Sequence, residues 1–137
     1  MKNGKPYSKN EVFHSQCFAC SQTNEYGLQL QFESNVGEVT CHTEINKPHQ
    51  SYNGVVHGGI IATLLDAAMV HCLHKEFGKN PLTCRLDIRF REVVPTDSSI
   101  IINASFKSRR GTHCWAEAKI LTNDQVCVTA KGTFKLT

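Results

Sequence analysis

Residues 53–69 read NGVVHGGIIATLLDAAM, and this stretch decides the fold of the chain. From Ile60 to Phe77 the apolar side chains cover nearly the whole circumference of a helix. A helix that is apolar on most sides must be buried on most sides. Gly78 and Pro81 follow it and do not continue a helix. The helix is therefore predicted to lie in the centre of a domain, surrounded by other elements.

Segments in which apolar and polar residues alternate flank this helix. Two precede it, at residues 28–33 and 39–45, and four follow it, at residues 82–90, 100–107, 114–121 and 126–135. Alternation predicts half-buried strands, and short connections between successive strands favour antiparallel pairing. The order β–β–α–β–β–β–β predicts an α+β fold, with one antiparallel sheet curled around the helix. The edges of such a sheet need covering, so we expect self-association.

Length and charge limit the classes of protein that the chain can belong to. Its 137 residues predict one domain over 1–137, with an irregular segment at 1–16. Fifteen basic and twelve acidic residues give a net charge of +3, well short of a nucleic-acid footprint. The polar N-terminus has no signal-peptide core, and the longest apolar run, 60–73, is too short and polar to cross a bilayer. We expect a cytoplasmic protein without nucleic-acid or membrane partners.

Seven cysteines in a chain without a secretory signal are predicted to be reduced thiols, used mostly as small core residues. Cys17 and Cys20 form the one paired spacing, C-x-x-C. A zinc finger needs a second pair, and neither Cys41-His42 nor the His/Cys group at 71–74 has the usual finger spacing. We therefore predict no metal and no cofactor, and leave open whether the Cys17-x-x-Cys20 pair binds one.

The start of the helix and its middle both carry residues suited to chemistry. Gly58 and Gly59 open the helix, where unpaired N–H groups lie at the positive end of the dipole and can stabilise a developing oxyanion. Asp66 follows about two turns later, on nearly the same face. An acid among apolar neighbours is costly to bury. The alternatives are that Asp66 caps a backbone group or pairs with an arginine, that His57 caps the helix, and that the glycines make a tight turn.

His57-Gly-Gly followed by an apolar helix with Asp66 seven residues after the second glycine resembles the phenylacetyl-CoA (PaaI-like) branch of the hotdog-fold acyl-CoA thioesterases. The lead-in Cys17-Phe-Ala-Cys20, the strand after the helix and the closing Ala130-Lys-Gly-Thr-Phe134 resemble the same branch. The resemblance covers residues 17–135. It implies a hydrolase that converts an acyl-CoA thioester to the free acid and CoA.

The resemblance also implies roles for particular residues. The Gly58 N–H would polarise the thioester carbonyl, aided by Gly59 and the His57 side chain. Asp66 would act as general base for water or as nucleophile. A hydroxyl at the position of Thr83 would come from the partner subunit of a homodimer and place the water.

Further polar residues are candidates for substrate binding. Many relatives carry Asn or Gln where this chain has Ser51, and the neighbours Gln50 and Asn53 could substitute for it. The basic residues Lys107, Arg109 and Arg110 are predicted to contact the phosphates of coenzyme A.

Assembly and function each leave alternatives. Two homodimers would pack into a homotetramer, as is common in the family. The competing functions are a hotdog hydratase or dehydratase, a non-catalytic acyl-CoA-binding module, and a zinc or redox protein built on Cys17-x-x-Cys20. The sequence does not identify the acyl group.

Overall fold

The structure is a computed structural model that describes residues 14–137. The chain divides into two compact units, with the boundary between Gln31 and Phe32. Residues 1–13 of the predicted irregular segment at 1–16 lie outside the described residues. The prediction of one domain over 1–137 stays a prediction.

The first unit, described over residues 14–31, is held together by its own backbone. The N–H groups of Leu28 and Leu30 donate to the carbonyls of Phe18 and Ala19 at 2.8 and 2.9 Å. A Cβ on Gly27 would lie only 2.4 Å from the Phe18 carbonyl oxygen, so the close approach of these two segments requires glycine there.

The second unit, residues 32–137, contains one long helix and six strands. Its elements are β1 (Glu33–Asn35), β2 (Glu38–Thr43), a short 3-10 helix (Lys47–His49), α1 (Gly58–Phe77), β3 (Pro81–Phe90), β4 (Ile100–Arg110), β5 (His113–Thr122) and β6 (Gln125–Leu136). The strands form one antiparallel sheet in the order β1-β2-β4-β5-β6-β3. The predicted fold class and element order are confirmed.

Helix α1 packs against β2 through β6. Nine of its side chains are buried: Ile61, Leu64, Leu65, Ala67, Ala68, Met69, Val70, Cys72 and Leu73. His57 caps its start, and Gly78 ends it in the left-handed conformation at φ 63°. Among the described residues, no helix is long and apolar enough to cross a membrane.

The predicted strand at 28–33 is wrong. Gln29 has a left-handed backbone, at φ 53°, which interrupts an extended chain. The backbone N–H groups on either side of it are used within the first unit, so the alternation of Leu28, Leu30 and Phe32 does not mark a strand. Strand β1 begins only at Glu33.

Strand β3 forms one edge of the sheet and pairs with β6 on one side. Its apolar residues Leu82 and Phe90 are each 56% exposed, although the sequence alternation predicts a buried face. The register shifts between Thr83 and Arg85, which is a β-bulge at Cys84. The bulge changes the direction of the side chains before it relative to those after it.

We predict that Gly132→Ala destabilises the fold. A Cβ on Gly132 would lie 2.6 Å from the buried Phe134 ring and 3.1 Å from the Met69 sulfur. Overpacking of this kind costs about 1–3 kcal/mol, which urea unfolding will measure. Gly58→Ala is the matched control, since its Cβ would meet only the Phe90 ring, at 3.9 Å. Equal stability of Gly132→Ala and wild type would contradict the packing described here.

Candidate active site

The first backbone donor of α1 is available for a ligand. His57 Nδ1 accepts a hydrogen bond from the Gly59 N–H at 2.8 Å, and the His57 N–H donates to the His49 carbonyl at 3.0 Å. Gly58, the first helical residue, lies between them and is exposed. Within residues 14–137, no hydrogen bond has the Gly58 N–H as donor. This N–H lies at the positive end of the helix dipole and can bind an oxyanion.

Packing favours glycine at position 59 but not at position 58. A Cβ on Gly59 would lie 3.2 Å from the His57 ring, so the cap itself favours glycine there. A Cβ on Gly58 would have room, and its φ is not in the left-handed region. Nothing in the described chain therefore requires glycine at position 58. A glycine there leaves its exposed N–H open to close approach by a ligand.

This geometry gives the hydrogen bonds of two groups for which the resemblance implies catalytic roles, and the role implied for the His57 side chain stays a prediction. His57 is the helix cap, which was the alternative interpretation of that residue. Because Nδ1 accepts a hydrogen bond, a neutral His57 ring carries its proton on Nε2. The Gly59 N–H is used by the cap, so Gly58 is the one of the two glycines that offers its N–H to a carbonyl.

Asp66 is half-buried in the middle of α1 and has one side-chain partner. The Thr83 hydroxyl donates to Asp66 Oδ1 at 2.6 Å. Burial raises the pKa of the Asp66 carboxyl above its ordinary value, and the hydrogen bond from Thr83 partly opposes this rise. Among the described residues, no cationic side chain forms an ion pair with Asp66. Asp66 is thus neither a backbone cap nor an arginine partner, and its burial favours the protonated form of the carboxyl.

The expectation that Thr83 reaches Asp66 from a partner subunit is wrong. The hydroxyl and the carboxylate belong to the same chain, and the bulge at Cys84 lies next to Thr83 on β3. Bulges often re-aim a side chain beside an active site. Strand β3 therefore completes the Asp66 site within its own chain.

Gly58 and Asp66 do not meet in one chain. Eight residues separate them along α1, which places them about 12 Å apart along the helix axis. A thioester carbonyl that accepts a hydrogen bond from the Gly58 N–H cannot at the same time be within reach of the Asp66 carboxylate of that chain. The predicted oxyanion site and the predicted acid are two separate half-sites.

The polar residues before the helix form a small hairpin. Gln50 Oε1 accepts from the Gly54 N–H at 3.1 Å, and the Ser51 hydroxyl donates to the Val55 carbonyl at 3.4 Å. Asn53 is exposed in the turn. The oxygens of Gln50 and Ser51 therefore hold the hairpin, and the binding roles predicted for these three residues stay predictions.

The three basic residues have different contacts. Lys107 pairs with Glu117 at 3.9 Å. The Arg109 guanidinium lies 4.7 Å from the centre of the Phe77 ring, and its Nε donates to the Gly111 carbonyl at 2.8 Å. Strand β4 continues through Arg110, so the turn begins only at Gly111.

Arg110 is the basic residue of the three that remains available. Among the contacts of the described residues, its exposed side chain has no ion pair and no hydrogen bond. It is therefore the best placed of the three to bind a phosphate.

One residue beside Gly58 was not identified from the sequence. The Phe90 ring, at the end of β3, lies 3.9 Å from where a Gly58 Cβ would stand, and the ring is largely exposed. In the sequence Phe90 is one of five alternating apolar residues, and nothing distinguishes it from the others. Its position next to the free N–H follows only from the fold.

The arrangement of one apolar helix, a curled antiparallel sheet and a carboxylate in the helix agrees with a family comparison. The family model described as the thioesterase superfamily matches residues 53–129, more than half of the chain. The chain belongs to the thioesterase superfamily. The family predicted from the His57-Gly-Gly motif is confirmed.

Curated relatives of the chain are longer than it is. The chain is 32% identical over 87 residues to MIOREX complex component 3 of Saccharomyces cerevisiae, covering 63% of this chain and 32% of the relative. It is 27% identical over 84 residues to the acyl-coenzyme A thioesterase THEM4 of Bos taurus, covering 61% of this chain and 34% of that protein. The chain thus spans about a third of the length of these relatives.

Solved structures of thioesterases share the fold. Zebrafish thioesterase superfamily member 2 matches with a TM-score of 0.78 and 18% identity, over 98% of this chain and 100% of that one. A Streptococcus pneumoniae thioesterase protein crystallised with coenzyme A matches with a TM-score of 0.73 and 21% identity, over 79% of this chain and 88% of that one. A single-residue mutant of the phenylacetic acid degradation protein PaaI of Thermus thermophilus matches with a TM-score of 0.71 and 14% identity, over 77% of this chain and 91% of that one.

We predict that Asp66→Asn stabilises this thioesterase domain at neutral pH. With its pKa raised, folded Asp66 holds a proton where the unfolded chain has released it, so wild-type stability falls as pH rises from about 3.9, the unfolded pKa, through the folded pKa. The amide removes this loss, and its oxygen can still accept from Thr83. We expect a gain of about 0.5–2 kcal/mol, the usual size for a stabilising substitution.

Urea unfolding at pH 7 and pH 3.5 checks this prediction. The gain should be present at pH 7 and should shrink towards zero at pH 3.5, where both states of wild type are protonated. Asp124→Asn is the matched control, because Asp124 is an exposed turn residue at φ 64°, a conformation that asparagine also tolerates. A loss of stability in Asp66→Asn at pH 7 would mean that the carboxylate itself holds the fold together.

Proposed function

We propose that the chain is an acyl-CoA thioesterase whose active site forms between two copies of the chain. The Gly58 N–H of one copy would bind the thioester oxygen, and Asp66 with Thr83 of the other copy would act on the same carbonyl. The observation that carries this proposal is a half-buried carboxylate in an apolar helix, bonded to one hydroxyl and paired with no cation among the described residues. The bovine relative named as an acyl-coenzyme A thioesterase and the streptococcal structure with coenzyme A support the substrate class.

The chemistry uses groups that the half-sites supply. Asp66 takes a proton from water as the water oxygen bonds to the carbonyl carbon, or attacks that carbon itself and is released by water afterwards. The carbonyl oxygen gains negative charge, which the Gly58 N–H stabilises. The carbon–sulfur bond then breaks, and the CoA sulfur leaves as a thiolate that takes up a proton. The Thr83 hydroxyl orients the carboxylate.

Strand β3 supports assembly through two copies. It is an edge strand of ten residues, and an uncovered edge of that length invites pairing with another chain. Leu82 and Phe90 expose apolar surface at its two ends. Since β3 carries Thr83 and Phe90 lies beside Gly58, a second copy docked along this strand would contact both half-sites. A tetramer would consist of two such dimers.

The competing functions fit the site less well. A module that only binds acyl-CoA gains nothing from a carboxylate whose burial is unfavourable. A hydratase must move a proton at carbon with an acid and a histidine together, whereas Asp66 is bonded to a threonine and His57 caps the distant end of the helix. Comparing thiol release with enoyl-CoA hydration on one preparation separates these functions.

We predict that Asp66→Asn lowers kcat for acyl-CoA hydrolysis by about 10²-fold or more, the scale of losing a general base. The KM should change little, because the carboxylate acts mainly in the transition state. Thiol release from a panel of acyl-CoAs that vary in chain length and aromaticity measures both constants and identifies the acyl group. Asp124→Asn should hydrolyse like wild type. Near wild-type turnover in Asp66→Asn would end the assignment.

Mixed dimers test whether the site lies between copies. Gly58→Pro removes the N–H at the first helical position, where proline is well tolerated. Refolding equal amounts of Asp66→Asn and Gly58→Pro together would give mixed dimers that hold one intact site, and recover about one quarter of wild-type activity for a two-fold dimer. Each variant refolded alone should stay inactive. No recovery in the mixture would place the whole site in one chain.

We predict that Arg110→Gln raises KM for an acyl-CoA about 10-fold, the effect of losing one charge-assisted contact to phosphate. KM for the matching N-acetylcysteamine thioester, which has no phosphates, should not change. Arg109→Gln is the comparison variant, because Arg109 is held by Phe77 and Gly111 and should affect stability more than KM. Equal changes in KM for both substrates in Arg110→Gln would show that this residue does not bind phosphate.

A further inference from the structure

Three metal-binding side chains converge in the first unit, outside the thioesterase site. Donor atoms of His14, Cys17 and Cys20 all lie within 4.8 Å of one another. His14 Nδ1 lies 2.9 Å from Cys20 Sγ, and both thiols are free. The metal partners predicted from the sequence all follow the cysteines, whereas His14 precedes Cys17 by three residues and Cys20 by six.

The donor spacing is close to that of a tetrahedral ion. Bonds of about 2.3 Å to sulfur and 2.0 Å to nitrogen place tetrahedral ligand atoms about 3.5–3.8 Å apart. The observed donors lie within 4.8 Å, and the nitrogen–sulfur pair is closer than that edge. Shifts of about 1 Å or less, within the range of side-chain rotation, would centre all three donors on one ion.

The backbone around the cysteines holds the loop that carries the two sulfurs. The Ala19 N–H donates to Cys17 Sγ at 3.3 Å, from within the C-x-x-C loop. The Cys17 N–H donates to the His14 carbonyl at 3.2 Å, and the Ser21 N–H donates to the Cys17 carbonyl at 3.0 Å, so the loop is fixed on both sides. Outer hydrogen bonds of this kind orient metal ligands.

We propose that His14, Cys17 and Cys20 bind a divalent transition-metal ion of the Zn²⁺ class. Two thiolates and one imidazole select a borderline-soft ion and disfavour Mg²⁺ or Ca²⁺, which prefer oxygen. Three protein ligands leave the fourth tetrahedral position for water. The metal fixes the lead-in segment of the first unit, and the inference does not rest on the proposed hydrolysis.

Cobalt substitution tests the site on the full chain. The protein is stripped with a chelator under reducing conditions and titrated with Co²⁺. One equivalent per chain should give visible bands of tetrahedral Co²⁺ and a near-ultraviolet sulfur-to-cobalt band, and Zn²⁺ should displace both. Cys17→Ser, Cys20→Ser and His14→Gln should each weaken binding by at least about 100-fold, since loss of even an outer-shell partner costs 10–100-fold.

Matched variants separate this site from chance binding to other thiols and imidazoles. Cys84→Ser and His42→Gln change an exposed cysteine and an exposed histidine elsewhere and should leave the titration unchanged. X-ray absorption of the zinc-loaded wild type should show two sulfur ligands and at least one nitrogen ligand, a result that holds even where a variant fails to fold. Absence of the tetrahedral spectrum, or its persistence in Cys17→Ser and Cys20→Ser, would overturn the proposal.

Discussion

The burial of α1 governs the rest of this structure. Nine of its twenty residues are buried, and one sheet has to provide the cover, so the sheet contacts the helix from β2 to β6. The sheet also approaches the helix closely. Gly132 on β6 leaves room for Met69 and Phe134, where even one added methyl group would collide. A helix this enclosed is a rigid frame, and positions on it are held more firmly than positions on a loop.

Asp66 is the acidic residue in the middle of this apolar helix. Asp66 is half-buried on this helix, and its desolvation disfavours the charged carboxylate. The Thr83 hydroxyl offsets part of this cost with a short hydrogen bond, and a bulge in the edge strand lies next to that threonine. Helix, strand and bulge therefore fix the position of one carboxylate, and a titratable group perturbed in this way is a candidate for a functional site.

The periodicity of apolar residues and the positions of glycine and proline predicted most of the fold. The wrong predictions have local causes. The bounds of α1 followed from its apolar run and from Gly78. The strand at 28–33 failed because Gln29 takes a left-handed backbone, which alternation cannot reveal. Spacing along the chain placed Gly58 and Asp66 on one face, and the same spacing sets them about 12 Å apart along the helix axis. The pairing of Thr83 with Asp66 is tertiary, and no period in the sequence encodes it. His14 is local, three residues before Cys17 and six before Cys20, so its spacing was visible in the sequence but lay on the side of the cysteines where no metal partner was expected.

The proposed site between two copies accounts for three features that have no evident role within one chain. Gly58 is a glycine that neither backbone conformation nor packing demands. Phe90, beside it, exposes a ring at the end of an edge strand, where an isolated domain would place a charge or a proline. Asp66 is half-open although its neighbours on the helix are closed. Each of these features is unfavourable or idle in a monomer, and each acquires a function if a second copy brings its own half-site across β3, so that assembly and catalysis depend on the same strand.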